Sequence, residues 1–557
     1  MPDLVLVQPP VEDFYLTAKR TIPYGLACIA GSLRERGFSV EILDCLAVNK
    51  SKPIPLPEAM APLLNHYGKK DLSSFSLFHQ FRHYGYSFEH AGTVIRDKKP
   101  RMVGISSLFT PYCQEALRTA EAVKRFHPEC TIVIGGHHPT HYPEQVLAWS
   151  PVDFVIRGEG EEAMPMLAEA LLAGTGVAEE RLEKIPGLVF RKRNGSIHTS
   201  TPAWIDPGKT SVLPAMDLIC TDFYRRKKRA GTVVVTSRGC PMNCSYCCFG
   251  DSSFPSSRFR QRRIRDVVRE LKTQTAHHDI GFIDFEDENL TLNKRWFLWL
   301  LAEIESLFPG EKPELRAMNG LYPPSLDREI IQNMKRAGFT TLNLSLGSTS
   351  KEQLNRFNRP DVTRAFEEAL LLAEEYGLET VAYIIAGAPG QSAEESVQDL
   401  LFLGKKRTLA GLSIFYPAPG SGDYALCRKN GLLPDTFSMM RSTALPVSDT
   451  TTRLESATLL RLARILNFMK FLVDNGQTIP PPKPCPPCCK VNRKEKRETG
   501  KKLLSWFLHD GTIRGVTENN QVFPHTSDGN LTRLFLAGIN RIEVKGVTMS
   551  ENSNFDL

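Results

Sequence analysis

Over the first third of the chain, short apolar runs alternate with longer stretches whose apolar residues recur at helical spacing. "DLVLVQPP" predicts a strand that ends at Pro9-Pro10, and "YGLACIAGSLRERG" a helix stopped by Gly37. Strand 39–44, helix 87–99 and strand 102–107 follow, then the helix "CQEALRTAEAVKRFHP" and strand 130–136. "VDFVIRGEGEEAMPMLAEALLAG" supplies a last strand and helix. Strands alternating with helices predict a doubly wound parallel sheet of the Rossmann-like kind. Ligands of such sheets sit beyond the carboxyl ends of the strands. The residues there are Pro9, Asp44, Ser106 with Ser107, Gly135, Gly136, and Gly158-Glu159-Gly160-Glu161. The stretch from Cys45 to about Gly85 has little period and predicts an insertion.

The signal then weakens, and "GLVFRKRNGSIHTS" predicts a hairpin turning at Asn194-Gly195. Alternation returns with strand 232–237, helix 262–275, strand 281–287 and helix 293–306. It continues through "LRAMNG", helix 325–336, strand 341–346, helix 361–376, strand 379–387, helix 392–404 and "GLSIFYP". Roughly six strand–helix units predict a partial (β/α) barrel rather than a second open sheet. Beyond about Ala425 the chain turns helical, then Pro-rich over Thr478–Lys490 (a linker or a packed arm), then basic. The predicted organisation is a sheet domain over 1–175, a linker with a hairpin over 176–229, a barrel over 230–430 and a mostly helical extension over 431–557. No repeat of 20–50 residues is present.

Composition narrows the class without naming it. With 557 residues, 41% hydrophobic and 24% charged, the chain is that of an ordinary multidomain globular protein. A net charge of +7 is too mild for a nucleic-acid footprint, so the basic runs Tyr224–Arg229, Arg258–Arg265 and Arg493–Lys502 read as solvated faces and linkers. "MPDLVLVQPP" does not read as a secretory signal, and no stretch is apolar enough for a membrane span, so a cytoplasmic location is expected. Thirteen cysteines in that setting argue for thiolate chemistry rather than a disulfide framework.

That chemistry concentrates in "VTSRGCPMNCSYCCFG", where Cys240, Cys244 and Cys247 follow the spacing Cys-x3-Cys-x2-Cys in the loop after the first barrel strand. Gly239 and Pro241 keep the loop out of a helix, and convergent thiolates select zinc or an iron–sulfur cluster. Structural zinc wants four protein ligands. Cys248 is badly placed to be the fourth, because its neighbour Cys247 already points inward, and it reads as a packing residue. Three thiolates on a four-iron cluster leave one iron open to an outside ligand.

The triplet, with Tyr246 before its last cysteine, resembles the signature of the radical S-adenosylmethionine (SAM) superfamily. "FEDENLTLN", "MKRAGFTTLNLSLGSTSKEQLNRFNRP", "YIIAGAPGQSAEES" and "FYPAPGSGDY" extend that resemblance across about Gly231–Tyr424. It implies a [4Fe-4S] cluster on Cys240, Cys244 and Cys247, and SAM cleaved at the open iron to a 5′-deoxyadenosyl radical. The resemblance also implies Tyr246, Asp287, Ser345 and Gly387 as SAM-binding residues. The chain departs from the family at Gly347, where many relatives carry a glutamate; Ser345, Asp287 or another group is the expected substitute.

The first half, roughly residues 3–172, resembles the cobalamin-binding domain of one radical SAM subgroup. It does so through "PYGLACIAGSLRERGFSVEILD", "VGISS", "IVIGGHHPTHYPEQVL" and "VDFVIRGEGEEAMPML". Pro9, Asp44, Ser106, Gly135, Gly136, His138, Thr140, Gly158 and Glu159 are the implied cobalamin contacts. Asp-x-His is missing, so His138 is expected at the corrin edge or on backbone rather than on cobalt. The Ser106–Thr110 loop or water would cover the lower cobalt face. The competing reading is a plain Rossmann-like lid, with "GEGEE" an acidic helix start.

The resemblance implies a cobalamin-dependent radical SAM enzyme that methylates an unactivated carbon of a small molecule, fed electrons by a flavodoxin or ferredoxin. The same cofactors also serve cyclisation or rearrangement. A cobalamin-binding redox regulator is the alternative from another class, and a nucleic-acid-modifying methylthio enzyme is disfavoured by the short strands of residues 500–557. Cys485, Cys488 and Cys489 read as free surface thiols or as a metal site lacking a clear fourth ligand.

Overall fold

The computed structural model describes residues 1–17, 21–67, 69–172, 178–202, 204–210, 212–248 and 259–547. The expected boundary at 175, Phe249-Gly250 behind the cysteine loop and Arg258 of the basic run lie outside the described residues.

In the first half the strands are β1 (Leu4–Gln8), β2 (Val11–Asp13), β3 (Val40–Asp44), β4 (Ser51–Pro53), β5 (Arg82–Tyr84), β6 (Met102–Ser106), β7 (Thr131–Gly135), β8 (Phe154–Ile156), β9 (Leu188–Arg191) and β10 (Ile197–Thr199). One seven-stranded sheet runs β10-β9-β8-β7-β6-β1-β3. Its β8-β7-β6-β1-β3 part is parallel, as the alternating pattern requires. Helices α1 (Tyr24–Glu35) and α4 (Gly160–Leu172) pack together on one face; α2 (Phe88–Lys98) and α3 (Cys113–Phe126) pair on the other. Leu4 and Leu6 point to the first layer, Val5 and Val7 to the second, the period-2 signature of a strand buried on both sides.

The hairpin at 188–199 is not a free connector. β9 pairs antiparallel with β8 and covers an edge that would otherwise expose a row of unpaired amides. Gly195 turns it at φ +83, as Asn-Gly predicts. The stretch without period is ordered by distant partners. β2, β5 and β4 form a small antiparallel sheet. Asp71 accepts from the Val516 amide and His525, and Phe75 meets the ring of Phe468.

The second half contributes β11 (Ala230–Val234), β12 (Ser237–Arg238), β13 (Arg260–Gln261), β14 (Ile280–Phe285), β15 (Glu314–Arg316), β16 (Thr341–Gly347), β17 (Glu379–Ala386) and β18 (Leu409–Ile414). Parallel triplets β11-β14-β15 and β16-β17-β18 are joined through the parallel bridges Leu315–Phe339 and Leu321–Leu344. The six strands form the expected partial barrel, with α5 (Ile264–Thr275), α6 (Lys294–Leu307), α7 (Arg328–Ala337), α8 (Thr363–Glu375) and α9 (Ala393–Gly404) following them in sequence.

The C-terminal region is α10 (Arg453–Asp474), α11 (Lys496–Asp510), the hairpin β19 (Arg514–Val516)–β20 (Val522–Pro524) and α12 (Gly529–Ile539). α10 starts at a Thr452/Glu455 capping box. Its Lys470 is fully buried and donates to the carbonyls of Lys406 and Lys545 at 2.6 and 2.9 Å, tying the chain end to the barrel. The Pro-rich stretch is a packed arm, since Ser505 donates to the Pro481 carbonyl at 2.5 Å. No described helix is long and apolar enough to cross a membrane.

Candidate functional site

The cysteine loop leaves β11 at its carboxyl end and is fixed there by one buried carboxylate. Asp287, 3% exposed just beyond β14, accepts from the Thr236 amide at 3.1 Å, Thr236 Oγ1 at 2.7 Å and Ser237 Oγ at 2.5 Å. Burial pushes its carboxyl up, and these donors hold it down. An irregular loop has no ladder to satisfy its amides, so a carboxylate supplies the acceptors. Asp287 therefore spends its oxygens on the loop that carries Cys240.

Cys244 is buried and Cys240 and Cys247 half-buried, close enough that their charges oppose one another. Burial pushes the Cys240 and Cys244 thiols up. Asn289 Nδ2 lies 3.9 Å from Cys240 Sγ. Glu288 is pushed up to about 7 by burial, with the Asp287 charge adding to it. Cys248 is half-buried and, with Cys247, raises the phenol of Tyr416 that burial already pushes up.

Arg359 is a member of this group that pattern reading missed. Its guanidinium donates to Tyr246 Oη at 2.8 Å and to the Ser345 carbonyl at 2.5 Å. Tyr246 packs edge-on against Phe357. A Cβ on Gly347 would meet Arg359 Cδ and Nε at 3.4 Å. The arginine stem therefore fills the space beside Gly347. That glycine was the one signal in the sequence that the local charge had been rearranged. Ser345 contributes its carbonyl here, and its Oγ sits where a Gly320 side chain would be. Gly387 takes φ +75 at the end of β17, where a Cβ would be strained.

Three polar atoms around the loop are buried without a hydrogen-bond partner among the described residues: Glu288 Oε2, Asn289 Oδ1 and Arg359 Nε. Such atoms are costly unless something further satisfies them. No described group of three or more His, Cys, Asp or Glu side chains is arranged around a single metal ion. A cluster places its thiolates on different irons and does not ask for that geometry. A guanidinium beside three thiols, with unsatisfied polar atoms around it, fits a dianionic cluster and a zwitterionic ligand.

At the strand ends of the first sheet the expected residues divide into two groups. Gly136, at φ +123, would press a Cβ to 2.7 Å from the Ser107 carbonyl. Ser106 and Gly135 pair across β6 and β7. Thr140 Oγ1 donates to the Gly136 carbonyl at 2.7 Å and accepts from the Gly158 amide at 2.9 Å. Beside them Ser107 Oγ is buried and unpartnered, while Leu108 and Phe109 are more than half exposed. A backbone shelf with an apolar lip and one orphaned hydroxyl fits a large flat macrocycle. His138 is buried, 3.3 Å from Thr110 Oγ1, and packs on Tyr142 and Phe437; burial pulls its imidazole down to about 4.

The carboxylates instead face the linker and the barrel. Asp44 accepts from Tyr224 Oη at 2.5 Å and Gln8 Nε2 at 3.3 Å. Glu159 binds Arg260 at 2.9 Å and Arg238 at 3.3 Å, and Glu161 binds Arg238 at 2.5 Å. Pro9 is buried behind β1.

One short segment joins the two sites. Gly420–Tyr424 follows β18: Gly420 packs against His141, and Tyr424 Oη bonds Tyr142 Oη. Asp423 amide donates to the Ser245 carbonyl at 2.8 Å and its carboxylate accepts from Ser245 Oγ at 3.1 Å. The helix after β7 and the cysteine loop are thus held by neighbouring residues of the same turn.

Comparison with known proteins agrees with both halves. The B12 binding domain family matches residues 80–168, and the Radical SAM superfamily matches 234–403. An uncharacterized methyltransferase of Pyrococcus horikoshii is 27% identical over 439 residues, 77% of this chain and 84% of its own. The anaerobic magnesium-protoporphyrin IX monomethyl ester cyclase of Rubrivivax gelatinosus is 27% identical over 310 residues, and the match spans about half of each protein (53% and 52%). The radical S-adenosylmethionine methyltransferase TsrM of Kitasatospora setae, solved with cobalamin and a [4Fe-4S] cluster, superposes with a TM-score of 0.56 at 17% identity, covering 83% of this chain and 89% of that one. The cobalamin-dependent radical enzyme OxsB gives 0.61 at 14% identity, over 91% and 72%. This chain therefore carries a B12 binding domain followed by a radical SAM domain, in the order in which its sheet and its barrel stand.

Proposed function

We propose that the chain is a cytoplasmic cobalamin-dependent radical SAM methyltransferase acting on an unactivated carbon of a small molecule, with a flavodoxin- or ferredoxin-like protein as electron donor. The observation that carries this reading is the shared turn Gly420–Tyr424, which holds both the cysteine loop and the helix that follows the strand-end shelf. Two cofactors used in one reaction need their reacting faces together; a redox sensor with a separate vitamin site does not.

Cys240, Cys244 and Cys247 would hold the cluster. When bound, the cluster with SAM supplies a hydrogen-abstracting radical, and cobalamin supplies the methyl group. Asp287 fixes the loop by binding Thr236 and Ser237 rather than touching SAM itself. Arg359 supplies the positive charge that thiolates and an amino-acid carboxylate require, and Tyr246 orients it. Gly136, Ser107, Leu108 and Phe109 form the corrin shelf. His138 stays neutral behind Thr110 and Phe437.

The reading is tested with SAM labelled at its methyl group, added to the reconstituted and reduced protein. Label in cobalamin together with 5′-deoxyadenosine formation is expected. 5′-Deoxyadenosine without labelled cobalamin would move the function to cyclisation or rearrangement, the chemistry named for the Rubrivivax relative. Neither product would leave a cobalamin-binding regulator.

A further inference from the structure

A large cavity lies apart from the cysteine loop and the corrin shelf. It is an open cleft of about 1110 Å³ lined by the Asp71–Arg82 stretch, one face of α10 and the start of α11. That volume is of the size that holds a whole organic molecule rather than a small ion.

Its charge is uncompensated. Arg464, Phe468 and Phe471 fall on one face of α10 at i, i+4 and i+7 and line the cavity. Arg464 is largely desolvated, and burial pulls its guanidinium down. Among the described residues it forms no hydrogen bond or ion pair. The groups that act on it are Asp71, Tyr15 and Tyr67. Asp71 is already occupied by the Ser73 amide and hydroxyl, the Val516 amide and His525, at 2.8–2.9 Å.

Opposite, Arg493, Lys494, Lys496 and Arg497 line the cavity where the 15-residue α11 begins. Cations there oppose the helix dipole, whose amino end favours negative charge. The nearby acids do not neutralise them: Glu495 accepts from Asn492, and Glu498 pairs with Lys501. Glu518, which feels Arg493, is bound to Lys70. Between the two cationic ends lies an aromatic wall. Phe471 carries Arg497 5.4 Å from its ring centroid, and Phe14 and Phe468 continue the wall.

We propose that this cavity binds an organic anion with an apolar body, a carboxylate, sulfonate or phosphate on an aliphatic or aromatic frame. Arg464 and the first turn of α11 hold the charge, and Phe14, Phe468 and Phe471 hold the body. The anion completes a desolvated guanidinium and a helix start that no side chain completes, while the aromatic wall excludes a bare inorganic ion as sufficient ligand.

The test is a fluorescence titration of the full-length, cluster- and cobalamin-loaded protein with 1-anilinonaphthalene-8-sulfonate, and in parallel with neutral N-phenyl-1-naphthylamine. The expected result is one saturable, salt-sensitive site for the sulfonate that weakens about tenfold or more in Arg464→Met. The exposed double substitution Lys496→Glu/Arg497→Glu should weaken it similarly and keeps the test decisive should Arg464→Met fold poorly. Equal affinity for the neutral probe, or unchanged sulfonate affinity in the double variant, would overturn the proposal. So would cosedimentation with phosphatidylserine vesicles in the absence of a saturable probe site, which would assign the charges to a lipid surface.

Discussion

The carboxyl ends of the barrel and of the first sheet are built on opposite plans. In the barrel, buried polar groups turn inward onto one irregular loop: Asp287 grips Thr236 and Ser237, and Arg359 grips Tyr246. In the sheet, the acids turn outward, Asp44 to Tyr224 of the linker and Glu159 and Glu161 to Arg238 and Arg260 of the barrel. The shelf itself is left to glycines, Ser107 and an apolar lip. The difference follows from what each cofactor asks. A cluster needs thiolates pinned from a loop that cannot pin itself. A broad ring is recognised by backbone and shape, so the acids at its rim are free to dock domains.

The largest effect that separates the plans lies in the loop. Cys244→Ala should abolish the cluster, leaving iron and sulfide near zero, while cobalamin binding persists because none of the shelf residues touches Cys244. Cys248→Ala should keep about four irons per chain. Iron loss in Cys248→Ala, or retention in Cys244→Ala, would break the assignment of ligands.

Next in size is the docking plan. Arg260→Met leaves Glu159, 14% exposed, with Arg238 and the Ile205 amide. Removing one partner of a buried ion pair costs about 3 kcal/mol. A lower thermal midpoint with normal iron content is expected; a matching loss of cobalamin would instead place Glu159 on the corrin.

The strand–helix alternation was legible because each element buries a face, and burial imposes period 2 or 3.6 on its own residues. The cysteine triplet was legible for a similar reason, since its spacing is local. Arg359 was not: it reaches Tyr246 across 113 positions, and only Gly347 hinted at it. The 45–85 stretch was unreadable because its partners, Val516, His525 and Phe468, lie hundreds of positions away. Asp44 and Glu159 were found as strand-end residues, yet nothing in their own segments says which way they face.

Asp44 gives a smaller, pH-dependent test of the outward plan. Burial raises its carboxyl from the ordinary 3.8 to about 6, against the bonds from Tyr224 and the Leu46 amide. The folded protein therefore keeps a proton that the unfolded chain releases. The stability this contributes is complete below about pH 4 and is lost as pH rises through 6, at most about 3 kcal/mol. Asp44→Asn, neutral throughout, should flatten the thermal midpoint between pH 4 and 6. An unchanged slope would show that Asp44 is ionised in the fold and faces a cation not yet identified.

The smallest effect expected is at His138, where the two plans meet. Its ring is 2% exposed, its Nδ1 faces Thr110 Oγ1, and Phe437 and Tyr142 close over it. With Nδ1 engaged and both ring faces covered, the ring is expected to stay off the cobalt. His138→Gln, which retains a polar group toward Thr110, should leave the cobalt(II) electron paramagnetic resonance spectrum unchanged, with no nitrogen splitting in either protein. Splitting in the parent that disappears in the variant would make His138 a cobalt ligand. It would also mean that the sheet, like the barrel, commits a side chain to its metal, and the contrast between the two ends would fail.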